Sequence, residues 1–196
     1  MYEKLCSKEN LVKAFINAKK GKTKKYYVIK FEKELDKNLE KLRKELVEET
    51  YTPNPLKVFI IKDPKTRKIS KSRFRDRVIH HALINILKRE FQKNFIYDSH
   101  ANQKGKGTLK AVKRFNIFKR KVSKNNTNKC YVLKADIRHY FAEIDHKILL
   151  EILSRKIHDK KVLSLIIKIL KNCVVRGGGR TTKRDALRKF NKPVFR

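Results

Sequence analysis

Carboxylates are scarce in this chain. Its 196 residues carry 19 Asp and Glu against 53 Lys and Arg, a formal net charge of +34 at pH 7. A compact body with that excess repels itself, so a polyanionic partner is implied. Nucleic acid fits, because Lys and Arg gain affinity by releasing condensed counterions from phosphates. A membrane surface is the rival polyanion, but no apolar run reaches the about 18 residues of a membrane span, and there is no lipidation signal. The opening MYEKLCSKEN has no apolar stretch and does not read as a signal peptide. Cysteine is equally sparse. Cys6, Cys130 and Cys173 stand far apart, in no metal or disulfide spacing, and are expected as reduced structural thiols of a cytoplasmic protein. The histidines are scattered except for His80 and His81. Neighbours in sequence face different ways on a helix, so that pair is expected to pack and not to hold a metal. The glycines Gly177 to Gly179 lack the Lys-Ser/Thr that would make them a phosphate loop. Internal repeats are absent. Apolar residues still make up 40% of the chain, which is enough for a core and excludes a low-hydrophobicity disordered class.

The segments that are present alternate between helical stripes and one strand pair. A short helical pattern runs from Leu11 to Lys25. From Phe31 to Glu49, Phe31, Leu35, Leu39, Leu42 and Leu46 fall at helix spacing with one buried face. Thr52-Pro53-Asn54-Pro55 ends it. LKVFIIK, Leu56 to Lys62, is rich in β-formers, and Asp63-Pro64-Lys65-Thr66 turns the chain into a returning strand from Arg67 to Ser70, giving a basic hairpin. A helix is expected from Arg77 to Phe91. Asp98 to Thr108, DSHANQKGKGT, is a polar loop, followed by a helix from Leu109 to about Phe118. Tyr131 to Ile137, YVLKADI, reads as a strand with a carboxylate at its end. Asp145 and Asp159 each open a helix with an apolar stripe. After Val175 the periodicity is lost in a basic stretch.

The segment KADIRHYFAEIDH, Lys134 to His146, has an aspartate at a strand end and an aromatic five residues on. Polymerases use carboxylates to hold two Mg²⁺ ions, and a strand end is a rigid platform for such a ligand. The surroundings are more specific. PK-x-R-x-IS, then FRDRVIHHAL, then FIYDSHANQKGKGT, then ADIRHYF and EIDH occur in an order and spacing that resemble the bacterial reverse transcriptases of retrons, group II introns and diversity-generating retroelements. The resemblance covers roughly residues 28 to 172.

That resemblance implies roles position by position. Asp136 matches the first catalytic aspartate, a ligand of both Mg²⁺ ions, and Ile137 a position whose backbone carbonyl helps hold the triphosphate-bound metal. Phe141 matches the aromatic gate that excludes a ribose 2′-OH; the other reading is core packing. Arg67 and Arg77 match basic positions that reach the dNTP triphosphate or the template, with Arg75 a further template candidate; each is otherwise a solvated arginine. Asp76 is expected to orient one of these arginines through an ion pair. Asn102, Gln103, Lys104, Gly105 and Gly107 match a loop that approaches the template strand, or form a plain flexible turn. Asp145 reads better as a helix cap than as a metal ligand.

The Tyr-x-Asp-Asp hairpin that completes such a metal site does not occur in this sequence, nor does the Gly-x-Pro-x-Gly-Asn-x-x-Ser-Gln block. Arg184 to Arg196 reads RDALRKFNKPVFR. One set of synonymous codons for it, read a single base later, encodes GMPLGNLTSQFFA, which is that block. The expectation is a frameshift upstream of Arg184, with the tail translated out of frame. The resemblance therefore implies an α+β fold: fingers and partial palm of a right-hand polymerase with an incomplete antiparallel palm sheet. Residues 1–125 would form an N-terminal region and fingers, 126–175 the first part of the palm, and 176–196 an irregular tail. The implied function is a fragment of a retroelement RNA-directed DNA polymerase. Its intact relative would extend a primer on an RNA template with dNTPs, whereas this chain is expected to be inactive alone. The alternative is a non-enzymatic basic RNA-binding protein, which the charge alone supports equally.

Overall fold

The computed structural model describes residues 1–64, 66–137 and 140–172. The tail from Arg184, the glycines at 177–179 and Cys173 lie outside the described residues. The chain divides into two compact units, 1–90 with 140–172, and 91–137.

The first unit is mainly helical. It contains α1 (Tyr2–Cys6), α2 (Lys8–Lys19), α3 (Tyr26–Lys33), α4 (Leu35–Val47), β1 (Lys57–Ile61), β2 (Arg67–Lys71) and α5 (Phe74–Gln92), whose last turn crosses the boundary. The expected helix from Phe31 to Glu49 is in fact two. Glu34 leaves the helical region at φ −120°, ψ 45°, and separates α3 from α4. Of the expected stripe, Leu39, Leu42 and Leu46 are buried, whereas Phe31 and Leu35 on either side of the break are half-buried. Phe74 at the start of α5 packs edge-on against Phe31 and Phe15 at 5.2 and 6.1 Å between ring centres. Asn10 ties α2 to α5. Its amide donates to the carbonyls of Leu5 and Ala82, and its own carbonyl accepts from Asn85 at 3.0 Å, so a buried polar side chain is satisfied on both sides.

The hairpin forms where the β-forming run and the turn residues after it predict it. β1 and β2 pair antiparallel with Ile61 opposite Arg67 and Lys57 opposite Lys71. Side chains alternate across the ribbon, so Phe59, Ile61, Arg67, Ile69 and Lys71 share one face. Val58, Phe59, Ile60 and Ile61 are all exposed, so β1 is a ribbon open to solvent on both sides.

Asp145 opens α8 (His146–Ser154) as expected, accepting from the backbone N–H of Lys147 at 2.7 Å. α9 (Lys160–Asn172) buries Val162, Leu163, Leu165 and Ile166. It is capped by Asp159, which also receives the backbone N–H of Tyr2 at 2.7 Å. In the same unit, α7 (Tyr140–Glu143) is a single turn.

The second unit contains the 98–107 loop and α6 (Thr108–Val122), which runs a turn beyond its expected end and buries none of its residues. Ser123 closes it: its hydroxyl accepts from the N–H of Asn126 at 2.8 Å, and Lys124, Asn125 and Asn126 all take positive φ. The expected strand Tyr131–Ile137 does not form. That segment pairs with nothing among the described residues, leaving Tyr131 95% and Leu133 92% exposed. β-forming residues favour a pleated, half-buried surface but do not supply the neighbouring strand that makes one.

Candidate nucleic-acid interface

The root of the hairpin is fixed by Asp76. Its side chain is almost fully buried on the first turn of α5 and accepts from the Tyr51 hydroxyl at 3.0 Å, the Asn54 backbone N–H at 3.1 Å and the Asn54 amide at 3.2 Å. Burial, and next the Asp76 carboxylate beside it, push the Tyr51 phenol far above its ordinary pKa, so it stays a donor. The expected ion pair between Asp76 and an arginine is not what the structure contains. Asp76 is consumed by the 51–54 linker that leads into β1, and the carboxylate that pairs with Arg75 is Glu45 on α4. Arg75 also lies over the Tyr51 ring, 5.4 Å from its centre. Its charge is thus held inside the helical body, which weakens its candidacy for template contact.

Arg77, one turn position on, is different. Its guanidinium lies 5.3 Å from the Tyr27 ring centre and 5.4 Å from that of Phe74, and its Nε, like that of Arg75, is buried without a hydrogen-bond partner. Among the described residues neither Arg77 nor Arg67 forms an ion pair. Arg67 is exposed at the far end of β2. Both positions therefore present uncompensated positive charge on the hairpin and its root, the property that phosphate contact requires.

The loop of the second unit is organised by an arginine fork. Arg114 on α6 donates from Nε and Nη2 to the two oxygens of Asp98 at 2.7 and 3.0 Å. That fork holds the Asp98 carboxyl below its usual range and raises Arg114. Tyr97 lies between two cations, with Lys106 at 5.0 Å and Arg114 at 5.1 Å from its ring centre. Residues 91–137 contain twelve Lys and Arg and only two carboxylates, Asp98 and Asp136. With Asp98 taken by Arg114, the unit presents essentially one sign of charge.

Within the loop, Gly105 and Gly107 sit at φ 75° and 132°, and Asn102 at φ 56°. A Cβ at either glycine would meet nothing within 4 Å, so backbone conformation and not crowding selects glycine there. The side chain of Gln103 accepts from Gln92 at 3.4 Å, and Lys104 is exposed.

Asp136 and Ile137 are exposed on the unpaired 131–137 segment of this unit. Phe141 belongs to α7 in the other unit, and its side chain lies outside the described residues. No three His, Cys, Asp or Glu side chains converge among the described residues. One exposed aspartate does not fit a site for two Mg²⁺ ions, which needs several oxygens held a few Å apart. Likewise, no helix of the described residues is long and apolar enough to cross a membrane.

Sequence reading missed Tyr27 and Lys71. Lys71 at the end of β2 lies 4.7 Å from the Tyr27 ring centre and donates to its hydroxyl at 3.5 Å. The signal was available: KTKKYYVIK places two tyrosines within a lysine run, the interleaving of aromatic and basic residues seen in nucleic-acid binders.

No protein-family model matches the chain. In sequence it is similar to an intron maturase. That protein is Nuclear intron maturase 1, mitochondrial, of Arabidopsis thaliana, 28% identical over 110 residues. The aligned stretch is 55% of this chain and spans 14% of the length of the maturase.

Proposed function

We propose that this chain is an RNA-binding relative of reverse transcriptases and intron maturases, in which the hairpin root and the 98–107 loop with α6 take the phosphate backbone. The observation that carries this reading is the set of cations left without carboxylates among the described residues, Arg67 and Arg77 above all, in a chain of net charge +34. Similarity to a maturase makes RNA the polyanion of choice. Fluorescence anisotropy with a labelled RNA hairpin bearing a single-stranded extension, competed by DNA of the same sequence, tests it. The reading expects the RNA to be held and DNA to compete less well; equal competition by DNA would reduce the chain to a general polyanion binder.

The finer proposal assigns polymerase roles within the fold of fingers and partial palm. Asp136 and the Ile137 carbonyl would be this chain's contribution to Mg²⁺ binding. Arg67, Arg77 and Phe141 would face the dNTP, and Asn102, Gln103, Lys104, Gly105 and Gly107 the template. The chemistry in such a protein is positioning and charge neutralisation around a primer 3′-OH and a triphosphate. Since the carboxylates needed beside Asp136 do not converge among the described residues, the chain by itself is proposed to bind and not to polymerise. Primer extension on an RNA template with dNTPs and Mg²⁺ checks this. The chain should give no product, whereas a version in which the shifted frame from Arg184 is restored and read onward should extend the primer. Extension that persists in Asp136→Ala would remove Asp136 from the catalytic role.

The non-enzymatic alternative gains from the same site. Asp136 stands on an unpaired, solvent-exposed segment, and a binder does not need it. Under that reading the restored frame extends nothing and RNA affinity is unchanged.

A further inference from the structure

We propose that Tyr27, Lys71 and Arg77 form a built phosphate-binding site at the root of the hairpin, in which Tyr27 is a positioning residue and the two cations hold the ligand. The proposal rests on the RNA-binding reading for its biological source but names residues and a ligand chemistry of its own. Three elements meet there: α3 brings Tyr27, β2 brings Lys71, and the first turn of α5 brings Arg77.

Both cations lie against one aromatic ring, at 4.7 and 5.3 Å from its centre, and Lys71 also donates to its hydroxyl. The ring is a neutral partner. It holds two like charges near one another without cancelling either, and among the described residues neither Lys71 nor Arg77 has an ion-pair partner. The nearest acid in sequence, Asp76, is occupied by Tyr51 and Asn54. Two cations at one ring, without a counter-charge among the described residues, are stabilised when an oxyanion enters, because repulsion becomes shared attraction. The Arg77 Nε is buried and makes no hydrogen bond, as is the Nε of Arg75, so ligand contact falls to the terminal nitrogens of the guanidinium.

The surroundings add positive potential. Burial first, and then Lys22 and Arg77, hold the His81 imidazole below its ordinary pKa, so His81 adds no counter-charge beside Arg77. The Tyr27 phenol is also held below its ordinary pKa, by Arg77 first and with Lys71 contributing, as expected for an oxygen facing two cations. A guanidinium supported by Tyr27 and Phe74 keeps one orientation, so the phenol and the rings fix where a phosphate oxygen would sit.

The shared chemistry is a phosphate oxyanion, drawn from a polynucleotide backbone or from a free polyphosphate. Two arms separate the sources. In the first, the Arg77 Nε–H resonance of the ¹⁵N-labelled chain is followed while tripolyphosphate is added, with the signal assigned by its loss in Arg77→Lys. The site predicts a saturable shift, reduced at least about tenfold in apparent affinity by Lys71→Gln and weakened by Tyr27→Phe, which keeps the ring but removes the hydroxyl. In the second, the salt dependence of binding to a single-stranded RNA oligonucleotide is compared between the wild type and Lys71→Gln. Loss of one phosphate contact lowers the slope of log K against log salt by about 0.7.

All three substitutions are on half-buried positions, and retained helicity by circular dichroism confirms the fold before any of them is scored. If the chain binds RNA, yet its slope is unchanged in Lys71→Gln and the Arg77 signal ignores tripolyphosphate, the site is overturned and RNA binding stands. If the signal answers tripolyphosphate in a chain that does not bind RNA, the site stands and the RNA reading falls.

Discussion

At the scale of single residues, Asp76 shows how a charged side chain can be structural in a chain with a large excess of basic charge. Three donors from Tyr51 and Asn54 converge on it. Asp76→Ala leaves those donors buried and unpaired and should cost about 2–4 kcal/mol of stability, read from the urea unfolding midpoint. Tyr51→Phe removes one bond and should cost about 1 kcal/mol. If Asp76→Ala unfolds at the wild-type midpoint, the hairpin root is held by something else. Asp159 carries a pH dependence of definite sign. Burial pushes its carboxyl up, but the Tyr2 N–H, the terminal amine and the Val162 N–H outweigh that and leave it below the ordinary 3.8. A depressed carboxyl stabilises the fold above its ordinary pKa, and the contribution is lost as pH falls through the depressed value. Asp159→Asn keeps a capping side chain but not the charge, so stability measured from pH 7 down to about 3 should fall less steeply than in the wild type.

At the scale of elements, the two aspartate caps and the hairpin separate structure from function. Asp145→Ala should lower stability by about 1 kcal/mol, equally with and without Mg²⁺, because its oxygen serves the first turn of α8. A Mg²⁺-dependent difference in melting would instead make it a metal ligand. Leu46→Ala, in the fully buried stripe of α4, should cost about 2–5 kcal/mol, whereas Ile60→Thr on the open ribbon, where Ile60 is 61% exposed, should change stability by no more than about 0.5 kcal/mol. Denaturant unfolding of the two variants checks the contrast. These elements differ in how far the sequence announces them. The leucine stripe and the hairpin are local patterns, a period and a turn, and both appear where expected. The residues of Tyr131–Ile137 favour a strand, but pairing needs a partner that no local pattern encodes. Its failure leaves Asp136 on an unpaired, exposed segment. The break at Glu34 sits inside an unbroken apolar stripe and carries no glycine or proline to mark it. Site residues divide in the same way. The arginines of FRDR stand out in sequence, but which of them keeps a free charge depends on Glu45, Tyr27 and Asp76, and those contacts span tens of residues.

At the scale of the whole molecule, charge is the organising quantity. The chain holds 53 basic residues against 19 acidic ones, and many of the acids that exist are spent internally, on Arg75, Arg114, Lys161 and the caps of α8 and α9. What remains outward is cationic, with exposed apolar and aromatic residues interleaved along α6 and the hairpin. Such a surface should hold a flexible polyanion by many weak phosphate contacts, with affinity that decays with added salt. The most direct test is the affinity of the intact chain for a single-stranded RNA oligonucleotide, measured by anisotropy between about 50 and 300 mM salt. The account predicts a linear fall of log K against log salt with a slope steeper than about −3, equivalent to four or more phosphates neutralised. A flat dependence, or no binding at the lowest salt, would contradict it.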